Sequence, residues 1–244
     1  MADFAPALLE IASEGVRPEV ASRAKRQRWF ELGLVLLVAF GGSLVNALYL
    51  LKHGPGARPL QTSGTWVFGT IHEISALLAL GYVLARRGIR FSDLSLRWSL
   101  RDFGSGVLVS GASFASHLLG WTLIQLIYHA AFGSLATAPT GRDFFAHPTV
   151  FAIPMILLNP FFEELIVRAY LMSEVLDLTR SPALAIAMSV VVQFSYHLYY
   201  GWLGAISLSF QFLTFALYYA RSRRVVPIIV AHGLFDIVGF LQLR

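Results

Sequence analysis

The chain contains no cysteine among its 244 residues. This absence excludes disulfide bonds, thiolate metal ligands and a cysteine nucleophile. Charged residues are scarce as well, at 14% of the chain, whereas a typical soluble domain has about 25%. The sequence also has no glycine-rich phosphate loop, no HExxH zinc motif and no internal repeat. The low charge argues against an ordinary soluble domain.

The sequence is rich in long apolar runs. Hydrophobic residues make up 56% of the chain, and the mean hydropathy is +0.64. A helix of about 20 apolar residues crosses the hydrocarbon core of a bilayer. Runs near or above this length lie at residues 29–51, 66–85, 103–131, 149–177, 182–200, 202–220 and 225–243. The sequence therefore predicts an all-α polytopic membrane bundle of about seven transmembrane helices.

The fourth run contains two prolines, Pro154 and Pro160, which could divide it and raise the number of spans to eight. The short loops favour a single membrane domain over residues 29–244, with residues 149–243 as its motif-bearing core. Residues 1–28 are predicted to form a cytoplasmic N-terminal segment. This segment shows no cleavable signal peptide, and Phe4 to Ile11 is a candidate amphipathic helix on the membrane surface.

The basic residues are distributed unevenly between the two sides of the predicted bundle. Of the 19 lysines and arginines, 14 precede the first span or lie in loops on that same side. The opposite side carries Lys52, Arg58, Arg142 and Arg244. The positive-inside rule then places the N-terminus in the cytoplasm, most simply at the cytoplasmic membrane of a prokaryote. The net charge of +5 is thus a signal of topology, and no nucleic-acid partner is expected.

Ionisable residues inside the apolar runs are the strongest indication of function. Glu163, Glu164 and Arg168 lie in the fourth run, although a charge at bilayer depth costs roughly 2.5–3.5 kcal/mol on insertion scales. Glu164 and Arg168 are spaced to form an ion pair along one helix face, whereas Glu163 points about 100° away. We therefore predict a structural Glu164–Arg168 pair and a Glu163 that faces a cavity.

Three further polar residues lie at a similar depth, between roughly 10 and 22 Å from the basic side at 1.5 Å per residue. They are His197 near the end of its run, and His232 and Asp236, which share one face of the last run. By contrast, His72, Glu73 and His117 are interpreted as packing or helix-association residues, since no motif links them.

These residues form three motifs that resemble a known family. Glu163, Glu164 and Arg168 give EExxxR, His197 follows Gln193-Phe194-Ser195-Tyr196, and His232 with Asp236 gives HxxxN/D. Their order and spacing over residues 149–243 resemble the CAAX protease and bacteriocin-processing family, also called Abi, which includes the type II CAAX prenyl endopeptidases. The first three spans resemble that family only in hydropathy.

The resemblance implies an intramembrane endopeptidase of the glutamate type, with a peptide or protein substrate and no cofactor or metal. In such an enzyme Glu163, assisted by His197, activates the attacking water, and His232 with the residue at 236 stabilises the oxyanion. Glu164 and Arg168 have a supporting role. Two positions depart from the pattern. Gln193 stands where the FxxxH motif has phenylalanine, and Asp236 must be protonated or must orient His232, because an ionised carboxylate would repel an oxyanion.

Three other functions are compatible with the sequence. A zinc protease could use Glu163, His197 and His232 as ligands. A non-catalytic scaffold or immunity protein could use the polar cluster only to hold helices together. A transporter could place midplane carboxylates along an ion path, although no matching pair of interrupted segments marks two halves of this chain. The substrate could be a lipidated C-terminal peptide, a leader peptide or another membrane protein.

Overall fold

Helices form almost all of the chain that the structure describes. A computed structural model describes residues 18–54, 57, 62–96, 98–137 and 149–241, and those residues contain no strand. The helices, in chain order, are α1 (Pro18–His53), α2 (Ser63–Arg86), α3 (Leu100–Phe132), α4 (Ala152–Glu164), a π-helical segment (Leu165–Met172), α5 (Ser173–Thr179), α6 (Pro182–Tyr196), α7 (Gly201–Ser222) and α8 (Val226–Leu241). Short 3₁₀ turns occupy Phe91–Leu94 and Leu198–Tyr200.

The predicted helical membrane bundle is confirmed. Within the described ranges, four helical stretches are long and apolar enough to cross a membrane: Ser22–His53, Ser63–Arg86, Leu100–Phe132 and Leu198–Ser222. Two shorter apolar helices are Pro182–Tyr196 and Val226–Leu241. Together with the stretch from α4 to α5, they correspond to the seven apolar runs of the sequence.

Two helices have bounds that differ from those of the apolar runs. Helix α1 begins at Pro18 and continues through the apolar run that starts at residue 29. Helix α6 ends at Tyr196, and the run predicted over residues 182–200 finishes in the 3₁₀ turn before Gly201, whose φ of 73° suits glycine. The candidate amphipathic helix from Phe4 to Ile11 lies outside the described residues.

The prolines do not divide the fourth run, so the eighth span does not form there. Pro154 lies in the first turn of α4, where the backbone N–H groups have no partner within the helix in any case. Pro160 is accommodated inside α4, which continues directly into the π-helical segment and then α5. All eight side chains of the π-helical segment are buried, and such segments are frequent at functional sites.

Small residues let α3 lie close to α7 and α8. A Cβ added at Gly120 would lie 2.5 Å from the ring of Phe210, and one added at Gly106 would lie 2.9 Å from the carbonyl oxygen of Pro227. Close approach of this kind is a common way for membrane helices to associate. Helix α8 also packs against α4, which carries the two glutamates of the EExxxR motif.

An ion-pair network joins three helices at one end of the bundle. Arg28 of α1 contacts Glu174 of α5 at 2.9 Å, and Arg87 after α2 contacts the other oxygen of Glu174 at 2.8 Å. Arg87 also bonds Glu31. Burial opposes the charge of Arg87, but the carboxylates of Glu174 and Glu31 outweigh it and raise the pKa of Arg87. Basic residues that the sequence assigns to one side of the membrane therefore meet at one end of the bundle.

Candidate active site

Glu163 is held at the end of α4 by two side chains from the last turn of α6. The hydroxyl of Tyr196 donates a hydrogen bond to Glu163 Oε2 at 2.6 Å, and the amide of Gln193 donates to the same oxygen at 3.2 Å. All three residues are buried. Glu163, which the sequence predicts to face a cavity, is therefore fixed through one of its two carboxylate oxygens.

Tyr196 is positioned in turn by α1. Its ring stacks on Phe40 with the ring centroids 4.5 Å apart and the planes 1° from parallel. Phe40 also contacts Phe162, which precedes Glu163. Stacked aromatic pairs are worth about 0.5–1.5 kcal/mol beyond the area that they bury. Helix α1 thus stabilises the geometry of Glu163 through an aromatic contact.

His197 follows directly after α6, and its backbone position fixes its ring. Its Nδ1 donates to the carbonyl oxygen of Gln193 at 2.8 Å, which leaves Nε2 as the other nitrogen available for chemistry. The ring packs among Tyr196, Tyr199 and Phe212. Gln193 therefore contacts both predicted residues, with its side chain on Glu163 and its carbonyl oxygen on His197.

Glu164 is fully buried between two basic groups. Arg168 Nε lies 3.5 Å from Glu164 Oε2, so the structure contains the expected i,i+4 ion pair. The other oxygen of Glu164 accepts a hydrogen bond from His232 Nδ1 at 2.8 Å. The sequence did not indicate this second contact, which connects the EExxxR motif of α4 to the last helix.

His232, Asp236 and Asn159 form the opposite side of the cluster. His232 Nε2 lies 3.6 Å from Asp236 Oδ1. The amide nitrogen of Asn159, one turn before Glu163, donates to Asp236 Oδ2 at 3.1 Å and lies 3.5 Å from His232 Nε2. Asp236 thus has an amide donor from α4 on one oxygen and an imidazole near the other.

The residues that could hold a metal ion differ from the predicted set. Glu163, Glu164 and His232 each place one ligand atom within 4.8 Å of the others. Among the described residues His197 is not part of that group, so the triad of Glu163, His197 and His232 proposed for zinc is not assembled. Glu164 is moreover engaged by Arg168 and His232.

A further carboxyl group reaches the cluster from α2. Glu73 is 3% exposed, its Oε2 has no hydrogen-bond partner, and it interacts electrostatically with Glu163, Asp236 and His232. By contrast, its neighbour His72 donates to the carbonyl oxygen of Ala39 at 2.9 Å and joins α2 to α1, as expected of a helix-association residue. Glu73 is therefore a buried carboxyl group within electrostatic range of the polar cluster.

Sequence reasoning missed four residues that contact or face the site: Asn159, Gln193, Tyr196 and Glu73. Spacing could have suggested two of them, because Asn159 precedes Glu163 by four residues and Gln193 precedes His197 by four. Tyr196 and Glu73 have no such signal, since their relation to Glu163 exists only in the folded bundle.

The fold and this cluster together define a class: polytopic helical membrane proteins that bury a carboxylate–imidazole site between their later helices. The family model described as type II CAAX prenyl endopeptidase Rce1-like matches residues 145–238. Residues 145–238 therefore match the model of this family, in agreement with the resemblance that the motifs indicated. Comparison with curated proteins and with solved structures gave no match. The matched region contains α4 to α8 up to residue 238, while Phe40 and Glu73 lie outside it.

Proposed function

We propose that the chain is a glutamate-type intramembrane endopeptidase in which Glu163 activates a water molecule. The family supports a CAAX-type endopeptidase in general. The observation that carries the finer proposal is the attachment of Glu163. Tyr196 and Gln193 both bind Oε2, so Oε1 is the oxygen left to bind and deprotonate water. A general base must be held within hydrogen-bond reach of the proton that it abstracts from water. The two hydrogen bonds to Oε2 fix the Glu163 carboxylate in this way.

The proposed reaction begins when Glu163 takes a proton from water and the resulting hydroxide attacks the scissile carbonyl carbon. His197 assists by holding the water with Nε2, because its Nδ1 is occupied by the carbonyl oxygen of Gln193. The tetrahedral intermediate carries a negative oxygen, which the imidazolium form of His232 stabilises by donating Nε2–H, since its Nδ1–H is donated to Glu164. When the C–N bond breaks, the proton held by Glu163 passes to the leaving amine, which restores the carboxylate.

The Glu164–Arg168 pair supports this chemistry by orienting His232. Because His232 Nδ1 donates to Glu164, the ring is oriented with Nε2 towards Asp236 and Asn159. A carboxylate that binds one imidazole nitrogen fixes the tautomer and the orientation of the ring. Glu164 is therefore a positioning residue in this proposal, and Arg168 balances its charge.

The substrate that we propose is a membrane-associated peptide or protein, and one that carries a lipid chain is compatible with the surface. A cleft of about 340 Å³ opens between α2, α4 and the segment that follows α2. Its lining side chains are all apolar: Ile74, Leu77, Leu78, Phe91, Leu96, Leu158, Phe161 and Leu165. An apolar cleft of this kind suits a hydrocarbon chain better than a polar peptide.

A zinc protease is the second candidate, favoured by the ligand atoms that Glu163, Glu164 and His232 bring together. The test is cleavage of a broad peptide library, including lipidated C-terminal peptides, by the purified wild-type protein, Glu163→Gln and His197→Ala, each with and without a zinc chelator. We expect chelator-resistant cleavage that both substitutions abolish. Chelator-sensitive cleavage would instead favour zinc, and a wild-type protein that cleaves no peptide would favour the non-catalytic scaffold.

We also propose that the N-terminus lies in the cytoplasm of a prokaryote and that the C-terminus, after seven spans, lies outside. The support is the excess of basic residues on the side where α1 begins. A reporter that is active only in the cytoplasm should therefore be inactive when fused to the C-terminus and active when fused to the N-terminus. The reverse activities would overturn this orientation.

A further inference from the structure

The oxyanion site of the proposed enzyme needs a hydrogen-bond donor that Asp236 does not supply in its ionised form. An asparagine at position 236 would have a side-chain amide, which could donate to an oxyanion. An ionised aspartate is an acceptor only and would repel the developing charge. His232 offers one ring nitrogen, because Nδ1 already donates to Glu164. A second donor must come from another residue.

Asn159 is the side-chain amide that the fold brings to this place. It precedes Glu163 by one helical turn and so lies on the same face of α4. Its amide nitrogen is 3.1 Å from Asp236 Oδ2 and 3.5 Å from His232 Nε2. Asn159 thus shares a helix face with Glu163 and contacts both Asp236 and His232.

The side-chain amide of Asn159 has enough donors to contact Asp236 and an oxyanion at the same time. A primary amide carries two N–H donors on one nitrogen. One of them is taken by Asp236, which orients the amide. The other has only the longer 3.5 Å contact with His232 Nε2, which a bound oxyanion would replace. Asp236 then acts as a hydrogen-bond acceptor that orients the side-chain amide of Asn159.

We propose that Asn159 is a catalytic residue that donates its second amide N–H to the oxyanion of the tetrahedral intermediate, with Asp236 as its positioning residue. This inference rests on the proposed peptidase function and extends it. Asn159 keeps both protons throughout the reaction, so no group beyond peptide and water is needed. In this arrangement the amide lies on α4 and the carboxyl group that orients it lies on α8.

The test uses four purified full-length variants and a peptide that the wild-type protein cleaves. Asn159→Leu keeps a similar size and removes the donor, so kcat should fall by about 10²–10³-fold, the usual loss for one oxyanion donor. Asn159→Asp should lose at least as much, because two acceptors would then face each other. Asp236→Asn should keep substantial activity. The double variant N159D/D236N should be faster than N159D by at least about tenfold, because it restores one amide and one carboxyl group.

Three measurements separate this role from a structural one. KM should change far less than kcat for N159L, since the donor acts on the transition state and not on the bound substrate. A phosphonamidate analogue of the tetrahedral intermediate should bind N159L more weakly than it binds the wild-type protein, while an uncleaved peptide analogue should bind both equally. The melting temperatures of the detergent-solubilised proteins report folding. If N159L does not fold, the comparison of N159D with N159D/D236N decides the question.

Two results would overturn the inference while leaving the peptidase proposal intact. One is wild-type kcat in N159L together with an inactive Glu163→Gln variant. The other is a double variant N159D/D236N that is no faster than N159D although both fold. A wild-type protein that cleaves no peptide would contradict the peptidase proposal itself, and the inference about Asn159 would fall with it. His72→Gln serves as the control, because His72 joins α2 to α1 outside the oxyanion side.

Discussion

Substitution of Glu163 by glutamine is expected to lower kcat by about 10²–10⁴-fold, the range that a general base contributes. A carboxamide has the shape of the carboxylate but does not take a proton from water. The fold should persist, because the amide oxygen can still accept the hydrogen bond that Tyr196 donates at 2.6 Å in the wild-type protein. The measurements are the initial rate of cleavage of a library-derived peptide and the melting temperature of the same preparation.

The matched control for this variant is His117→Gln. His117 is another membrane-depth imidazole, and its Nδ1 lies 3.1 Å from Ser207 Oγ between α3 and α7, outside the polar cluster. This control should cleave the peptide at close to the wild-type rate. If Glu163→Gln were also close to wild type, Glu163 could not be the base, and a metal-bound water would become the leading explanation.

The fold could be predicted from the sequence because the bilayer restricts the choice of structure. Every backbone polar group inside a membrane needs an internal partner, so each apolar run of sufficient length becomes a helix. The residues at which the helices begin and end were less predictable. Pro160 predicts a break by propensity, but the helix continues through it into the π-helical segment. Packing on both sides of that segment, whose residues are all buried, outweighs the local cost.

The candidate site could be predicted only in part. Spacing along one helix indicated that Glu164 faces Arg168 and that Glu163 points elsewhere, and the structure has both features. Spacing says nothing about which residue of another helix lies opposite. The contacts of Gln193 and Tyr196 with Glu163 therefore emerge only from the packing of α6 on the end of α4. The departure of Gln193 from the family's phenylalanine acquires a physical reason in the same way, as a donor to Glu163.

Substitution of Arg168 by methionine should destabilise the protein by about 3–5 kcal/mol, the cost of breaking a buried ion pair by removing one partner. Arg168 and Glu164 are both 0% exposed. The guanidinium also donates to the carbonyl oxygen of Phe212 at 3.3 Å and lies 5.8 Å from the ring centroid of Phe215. Methionine would fill much of the space but leave Glu164 Oε2 without the guanidinium, with His232 as the remaining basic partner of the carboxylate. Denaturant unfolding of the detergent-solubilised protein, followed by circular dichroism, measures the loss.

The double variant E164Q/R168M provides the control for this prediction. Removal of both charges abolishes the buried carboxylate that has lost its guanidinium, and the glutamine can still accept a hydrogen bond from His232 Nδ1, which lies 2.8 Å from Glu164 Oε1 in the wild-type protein. The double variant should therefore be more stable than R168M alone, with a coupling free energy of about 0.5–3 kcal/mol in the double-mutant cycle. If the free energy of unfolding of R168M were within about 1 kcal/mol of the wild-type value, the pair would not hold α4 in place. The loss of Arg168 would then cost no more than the loss of an ion pair on the protein surface. Since Glu164 orients His232, the same variant should also lose peptidase activity at temperatures where it remains folded. That loss would connect the stability of the ion pair to the alignment of the site.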